Sequence, residues 1–316
     1  MGFPPAVKLL NNRYKIIGEV KSGAMGCVYE AQDVNLNVTI ALKKLIVSED
    51  CDEFEEAKRA FQREAAILSR LDHPGLPQVT DFFTDTDPET GHSACWLVMS
   101  YIDGEDMETM LKRNAPPYSK KWVVRFALSI LNILHYLHSQ NPPIIYRDLK
   151  PSNILIAGKT IYLVDFGIAR TLDLSHKGTQ IGTPGYAPPE QYKGYTDERS
   201  DIYSLGVLLH YLLTGKNPED NPDLFTFKPI YKVNPDLGFE ISDLVESMTS
   251  IVPDKRPANV NVVIDSLIRN APPGIRQISA GASTPAKNPK DIVFEAAIIV
   301  ILIFIHLFVF LVLFLS

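Results

Sequence analysis

Cysteine is scarce in this chain of 316 residues, which contains three. Cys27, Cys51 and Cys95 are odd in number and form no C-x-x-C pair, which argues against a disulfide framework and against a zinc site. Such scarcity favours a reducing compartment. Basic residues are in no excess either, because the formal net charge is −6 at pH 7. Nucleic acid is therefore not an expected partner.

A secretory signal is also missing from the N-terminal sequence MGFPPAVKLL, which has no long apolar stretch. Myristoylation of Gly2 is disfavoured because Ala6 stands where that motif needs Ser or Thr. The long apolar run of this chain lies at the other end, over residues 296–315, where His306 is the only strongly polar residue. At about 1.5 Å per residue, such a helix spans roughly 30 Å, the thickness of a bilayer hydrocarbon core.

This run predicts a transmembrane helix over residues 292–315 that acts as a C-terminal tail anchor. Arg276, Lys287 and Lys290 lie on its N-terminal side, which favours a cytoplasmic location for the rest of the chain. Residues 271–291 are rich in Pro, Ala, Ser and Lys, a composition typical of a flexible linker. We therefore expect a single-pass membrane protein with a cytoplasmic soluble part.

Hydrophobic periodicity divides the soluble part into a strand-rich half and a helix-rich half. Residues 14–47 are predicted to form three strands, residues 52–70 a helix, and residues 78–101 two further strands. Ser119 is then predicted to cap a long helix, and another helix is expected over residues 200–213. This order of elements indicates an α+β chain with two lobes.

A compact polar cluster lies between two apolar runs in IIYRDLKPSNILI, residues 144–156. Asp148 can orient an incoming hydroxyl or accept its proton, and Lys150 can neutralise charge on a moving phosphoryl group. Asn153 offers an oxygen atom to a divalent cation. These side chains supply the positioning and the charge neutralisation that phosphoryl transfer needs. The alternative is a solvated turn that carries a surface ion pair.

A further carboxylate follows in LVDFGIAR, where Asp165 ends an apolar strand. Close to Asn153 across a hairpin, it makes an oxygen-ligand site suited to Mg2+ bound with substrate phosphates. Between the two, AGKT at residues 157–160 imitates the end of a Walker A loop, but Asn153 stands where that motif needs a glycine. We therefore expect Gly158 and Lys159 to form a hairpin turn.

The order of these motifs resembles that of the eukaryotic-like, or Hanks-type, Ser/Thr protein kinases, and the sequence is similar to the bacterial members of that family. The resemblance covers roughly residues 14–270. It implies a two-lobed protein kinase fold, with a β-rich N-lobe over residues 14–102 and a helical C-lobe over residues 103–270. It also implies ATP and Mg2+ as cofactors, and Lys150 in DLKPSN implies specificity for Ser and Thr rather than Tyr.

Within this resemblance, KSGAMGCVY corresponds to the Gly-rich loop over the nucleotide phosphates. Gly23 and Gly26 would let backbone amides approach the phosphates, although Lys21 stands in place of the first glycine. Two glycines alone are more often found in an ordinary hairpin turn.

The third strand carries the lysine that the resemblance implies for the nucleotide. In IALKK, Lys43 would hold the α- and β-phosphates, and its neighbour Lys44 would face solvent. Glu64, in FQREAAIL, lies where the pairing glutamate of the family is found. Its alternative role is that of a solvated helix charge.

The strand and hinge WLVMSYIDG would hold the adenine ring. The resemblance implies that Met99 borders the back pocket and that the backbone of Ser100 and Ile102 bonds the adenine edge. Asp106 lies where a ribose-binding acid is often found. The apolar members of the nucleotide site would be Val20, Val28, Ala41 and Leu155, which are equally consistent with core packing.

Several residues would support the catalytic loop. Tyr146 stands where the family usually has His, and its ring can pack in the same place. Asp201 matches the aspartate that braces the loop backbone. Glu190 and Arg256 match a buried ion pair with a structural role.

GTPGYAPPEQY, residues 182–192, resembles the end of an activation segment. Thr183 would hydrogen-bond Asp148 and Lys150 and would shape the acceptor site. Arg147 would bind a phosphate on Thr179 and so order the segment through charge-assisted hydrogen bonds. Thr171 and Ser175 are other candidates for that phosphate, and a constitutively ordered segment is the alternative.

These inferences predict a membrane-anchored Ser/Thr protein kinase that phosphorylates proteins, including its own activation segment. A pseudokinase scaffold is the first rival, but such a scaffold has no physical need for Lys43, Asp148, Asn153 and Asp165 together. A small-molecule kinase is the second, and the activation segment argues against it. Self-association in the membrane would help one copy phosphorylate another, although no G-x-x-x-G motif requires it.

Overall fold

The computed structural model describes residues 9–23, 26–45, 51–88, 91–165, 183–221 and 223–271. Met1–Asn270 is one compact unit. The predicted anchor lies outside the described ranges, and so does the predicted linker apart from Ala271. Among the helices in those ranges, none is both long and apolar enough to cross a membrane.

Strands rich in β-branched and aromatic residues form the N-terminal lobe, as their composition predicts. They are β1 (Tyr14–Gly23), β2 (Gly26–Asp33), β3 (Val38–Leu45), β4 (Val79–Thr86) and β5 (Ser93–Ser100). They form an antiparallel sheet in the order β1-β2-β3-β5-β4. Helix α1 (Cys51–Leu68) packs against β4 and β5, where the rings of Phe61 and Phe82 lie 5.7 Å apart.

One face of this sheet carries an apolar core that includes Tyr29, Leu42 and Trp96. Lys44 lies on the same face, and only 7% of its surface is exposed. Its Nζ lies 2.9 Å from Asp87 Oδ2. Burial lowers the pKa of Lys44, but hydrogen bonds to Asp87 and Tyr29 outweigh burial and raise it above its ordinary value. The prediction that Lys44 faces solvent is therefore wrong, because both faces of β3 are covered.

Helices form the C-terminal lobe, and the predicted two-lobed architecture is confirmed. The helices are α2 (Met107–Arg113), α3 (Lys120–His138), α4 (Glu198–Thr214), α5 (Ile230–Val233), α6 (Phe239–Met248) and α7 (Val260–Arg269). The Ser119 side chain caps α3 as predicted, accepting from Trp122 N at 3.4 Å. Helix α4 begins two residues before the predicted position because Asp197 and Ser200 form a capping box.

A small second sheet lies beside the helices. It consists of β6 (Glu105–Asp106), β7 (Ile154–Ala157) and β8 (Thr160–Leu163), in the order β6-β7-β8. Ala157 pairs with Thr160, and Gly158 has a φ of +61° between them. This is the hairpin turn predicted for Gly158 and Lys159, so AGKT is not a nucleotide loop.

An ion pair joins the chain before α4 to the chain before α7. Arg256 donates from Nη1 and Nη2 to the two carboxylate oxygens of Glu190, at 2.6 and 2.9 Å. The Arg256 side chain is fully buried, and its guanidinium also bonds the carbonyl groups of Ser250 and Arg199. Burial raises the pKa of Glu190, but the bonds from Arg256 outweigh this and lower it.

We expect Glu190→Ala to lower the free energy of unfolding by about 3–5 kcal/mol, because it leaves the Arg256 charge buried without its partner. Urea-induced unfolding, followed by tryptophan fluorescence, measures the change. Asp254→Ala is the matched control, since it removes the exposed half of the Arg199–Asp254 pair and should cost less than about 1 kcal/mol. Equal losses of unfolding free energy in the two variants would contradict a stabilising role for the Glu190–Arg256 pair.

Candidate active site

A cavity of about 280 Å³ lies between the sheet of the N-terminal lobe and the small sheet of the C-terminal lobe. β1, β2, β3 and β5 supply one wall, and β7 and the chain after β8 supply the other. Most residues predicted to hold the nucleotide line this cavity. They are Val20, Val28, Ala41, Met99, Ser100, Ile102, Asp106 and Leu155.

The hinge after β5 presents two different backbone groups. The N–H of Ser100 donates to Gln78 O at 2.9 Å, so it is already occupied. Of the two backbone groups of Ser100, only the carbonyl oxygen can therefore form a hydrogen bond with the edge of an adenine ring. Ile102 lines the cavity, and within the part of the chain that the structure describes no acceptor takes its N–H. That group can donate to a ligand without breaking a hydrogen bond of the fold.

Asp106 has a structural role in addition to its place in the cavity wall. Its carboxylate caps helix α2, accepting from Thr109 N at 2.9 Å and from Thr109 Oγ1 at 2.7 Å. Each oxygen retains a lone pair for a sugar hydroxyl. The predicted ribose contact is compatible with this geometry.

Gly26 lies at the turn between β1 and β2 and has a φ of +145°. A Cβ atom there would lie 2.2 Å from the Lys44 carbonyl oxygen, so the backbone requires glycine at this position. Gly23 pairs with Gly26 at the end of the ladder. Residues 24 and 25 lie outside the described ranges. Neither glycine lines the cavity.

Asp165 follows β8, and two lysine ammonium groups of the N-terminal lobe lie against its carboxylate. Lys43 Nζ on β3 lies 3.2 Å from Asp165 Oδ1, and Lys21 Nζ on β1 lies 3.0 Å from Oδ2. Burial raises the pKa of the Asp165 carboxyl, but the two ammonium groups outweigh it and lower the pKa to about 2. The backbone of Asp165 has a φ of +58°. This conformation costs free energy, so the surrounding structure must stabilise it, and residues of this kind cluster at functional sites.

Two of the predicted catalytic side chains, Asp148 and Lys150, form one hydrogen-bonded cluster with Asn153 and Thr183. Asn153 Nδ2 donates to Asp148 Oδ2 at 2.8 Å and to the Asp148 carbonyl at 3.0 Å. Thr183 Oγ1 donates to Asp148 Oδ1 at 3.0 Å and accepts from Lys150 Nζ at 3.0 Å. Lys150 Nζ also lies 3.2 Å from Asp148 Oδ2. These contacts therefore fix the orientation of the Asp148 carboxylate.

The backbone of this loop rests on Asp201, which is fully buried at the start of α4. Asp201 Oδ2 accepts from Tyr146 N at 2.9 Å, and Oδ1 accepts from Arg147 N at 2.8 Å. Arg147 has a φ of +68°, which costs free energy for a residue with a side chain. Tyr146 is fully buried, and its hydroxyl donates to the carbonyl of Val164, just before Asp165.

Two contacts of this site were not predicted. His138 Nε2 donates to Asp201 Oδ2 at 2.8 Å. In the described residues, no group of three or more His, Cys, Asp or Glu side chains could hold a metal ion. Lys21, identified only as a departure from the Gly-rich loop, reaches Asp165 across the cavity.

The oxygen atoms of Asn153 and Asp165 fit a divalent cation. Asn153 Oδ1 and Asp165 Oδ2 both lie 3.0 Å from a single cation, the ammonium of Lys21. An amide oxygen beside a carboxylate is the hard donor set that Mg2+ prefers when it is bound with substrate phosphates. Both residues approach the cavity from the C-terminal lobe.

The predicted phosphorylation sites and the predicted partner of Lys43 have no described side chain. Thr179 lies outside the described residues, as do Thr171 and Ser175. Glu64 lies on helix α1, whose backbone is described there, while its side chain is outside the description.

Comparisons with known proteins agree with this geometry. A family model for the protein kinase domain matches residues 13–268. The chain is 31% identical over 275 residues to a probable serine/threonine-protein kinase of Clostridium perfringens, covering 82% of this chain and 38% of that protein. It is 31% identical over 308 residues to the serine/threonine-protein kinase pkn2 of Myxococcus xanthus, covering 90% of this chain and 36% of that protein.

Among solved structures, the kinase domain of Mycobacterium tuberculosis PknI is similar, with 26% identity and a TM-score of 0.64. That match covers 86% of this chain and all of the solved domain. The chain spans little more than a third of the length of the two curated relatives. It belongs to the protein kinase domain family, in its Hanks-type bacterial form.

Proposed function

We propose that this chain is a protein-serine/threonine kinase that transfers the γ-phosphate of ATP to Ser and Thr hydroxyls of proteins. The observation that carries this proposal is the contact of a threonine hydroxyl with both Asp148 and Lys150. That hydroxyl donates to a carboxylate and accepts from an ammonium, which are the two contacts that an acceptor hydroxyl needs during transfer. The cluster lies beside the oxygen pair of Asn153 and Asp165 at the end of the cavity.

In this proposal, each predicted side chain has a role in the transfer, and the role of Glu64 rests on the sequence alone. Asp148 orients the acceptor hydroxyl and accepts its proton as the oxygen attacks. Lys150 stabilises negative charge that moves onto the transferred group. Lys43 holds the α- and β-phosphates, and Glu64 orients Lys43. Asn153 and Asp165 would hold Mg2+, which would supply positive charge to neutralise the phosphates and to align the leaving group.

The nucleotide base enters the cavity described above. The apolar side chains from β2, β3 and β7 contact its two faces, and the free N–H of Ile102 donates to its edge. Asp106 bonds the ribose while it caps α2. Gly23 and Gly26 bring the β1–β2 turn close to the phosphates.

Protein substrates are favoured over small molecules by the surface beside Lys150. A second, open cavity of about 190 Å³ lies there, lined in part by Glu108, Tyr186, Tyr211 and Glu219. It adjoins the acceptor end of the site, where a peptide could lie on either side of its hydroxyl residue. A small-molecule kinase has no need for such a platform.

The regulatory and membrane parts of the proposal rest on the sequence. A phosphate on Thr179 pairs with Arg147 and orders the activation segment. Residues 292–315 hold the kinase at a membrane, on its cytoplasmic side, and residues 271–291 link it to that anchor.

We expect Asp148→Asn to lower phosphate transfer from Mg2+ and ATP by about 10²–10⁴-fold, since it removes the proton acceptor and retains the shape. Phosphosite mapping and transfer to a general protein substrate measure the change. Binding of an ATP analogue should persist in the variant. Asp265→Asn, an exposed change on α7, is the control and should retain full activity. Equal transfer by Asp148→Asn and the wild type would favour the pseudokinase alternative.

Thr179→Ala should lower the rate of transfer and remove one phosphate from the autophosphorylated chain, because Arg147 then has no phosphate to bind. Intact-mass measurement after incubation with Mg2+ and ATP gives both results in one sample. Thr171→Ala is the matched control on the same segment. An unchanged phosphate count in Thr179→Ala would contradict Thr179 as the modified residue.

Removal of residues 292–316 should release the chain from the membrane fraction while its kinase activity persists, because about 30 Å of apolar helix is lost. Carbonate extraction of cell membranes, followed by immunoblotting, measures the partition. His306→Leu is the control and should leave the chain in the membrane. A truncated chain that still sediments with membranes would place the anchor elsewhere.

A further inference from the structure

Lys21 occupies a position in the site that neither the resemblance nor its charge predicts. Its Nζ donates to the Ser152 carbonyl at 2.8 Å, to Asn153 Oδ1 at 3.0 Å and to Asp165 Oδ2 at 3.0 Å. All three acceptors belong to the C-terminal lobe, whereas Lys21 lies on β1. The side chain therefore crosses the nucleotide cavity that it also lines.

An irregularity in β1 directs Lys21 into the cavity. The pairing of β1 with β2 shifts between Glu19 and Lys21, so Val20 has no partner of its own. In a regular strand, Val20 and Lys21 would point to opposite faces. A bulge changes this alternation, and both residues line the cavity here.

The acceptors of Lys21 include the two side-chain oxygen atoms that the proposed function gives to Mg2+. A magnesium ion binds such oxygens at about 2.1 Å. An ammonium that lies 3.0 Å from the same two oxygen atoms occupies the space where that ion would be. Two cations also cannot share one carboxylate oxygen at these distances without strong repulsion. Lys21 and the metal must therefore exclude each other.

We propose that Lys21 is an internal cation that closes the metal site, and that a divalent ion must displace it to bind. The inference rests on the proposed function, because it uses the metal ligands Asn153 and Asp165. Displacement also frees β1 from the catalytic loop at Ser152. Entry of the metal and release of Lys21 from the C-terminal lobe are thereby coupled.

Binding of Mn2+ to the full chain in detergent, measured by electron paramagnetic resonance of the free ion, tests this competition. Lys21→Met removes the ammonium but retains an unbranched side chain, and it should raise the affinity for Mn2+ by about tenfold, because charge-assisted hydrogen bonds no longer oppose the ion. Lys15→Met is the matched control, since it removes an exposed positive charge from the same strand. Its affinity should equal that of the wild type.

A second measurement on the unmodified chain does not depend on the folding of a variant. Competitive labelling of lysine amines with acetic anhydride, read by mass spectrometry, reports how accessible each ammonium is. Mn2+ alone should increase the labelling of Lys21 severalfold and leave Lys15 unchanged. Labelling of Lys21 that stays constant on addition of saturating Mn2+ would overturn the proposal.

Asp165→Asn separates this inference from the function on which it rests. If that change abolishes Mn2+ binding but Lys21→Met binds the ion no more tightly than the wild type, only the displacement by metal is wrong. If the wild type and Lys21→Met bind no Mn2+, or if Asp165→Asn leaves binding intact, the metal site at Asn153 and Asp165 is wrong and the displacement is overturned with it, while the kinase activity is judged by Asp148→Asn.

Discussion

The buried carboxylate of Asp201 is the constraint on which the site depends. It accepts hydrogen bonds from the N–H groups of Tyr146 and Arg147 and from His138, and no part of it is exposed. A carboxylate removed from water in this way needs such partners, so the loop backbone cannot relax without leaving a charge unsatisfied. This explains how Arg147 is held at positive φ and how Asp148 is presented to the cluster that follows.

A second carboxylate, that of the half-buried Asp165, joins the lobes. Ammonium groups from β1 and β3 approach its two oxygens, so the charge that would bind a metal is already balanced in the absence of one. The same interaction therefore stabilises the closed arrangement of the cavity and competes with its proposed ligand. A kinase with glycine at position 21 would have no side chain there to provide such a competitor.

The sequence motifs predicted much of the site because their members are close along the chain. Asp148, Lys150 and Asn153 lie within one loop, and their contacts follow from that loop's conformation. The wrong prediction for Lys44 and the missed contact of His138 concern packing between parts of the chain that are far apart in sequence. Lys44 was wrongly assigned to solvent because strand alternation does not reveal that an apolar core covers the face of the sheet on which Lys44 lies. The contact of His138 with Asp201 joins residues 63 positions apart, and no local pattern marks it.

The sequence by itself determined which elements form and which chemistry the loop can perform, because propensity, capping and the types of side chain are local properties. Strand composition, the Ser119 cap and the hairpin at Gly158 are of this kind. Only the tertiary structure decided which side chains meet across the cavity. The bulge at Val20 turns one lysine toward the opposite lobe, and its three oxygen partners lie more than a hundred residues away along the chain. Such an encounter depends on how two lobes pack, which the residues near Lys21 do not encode.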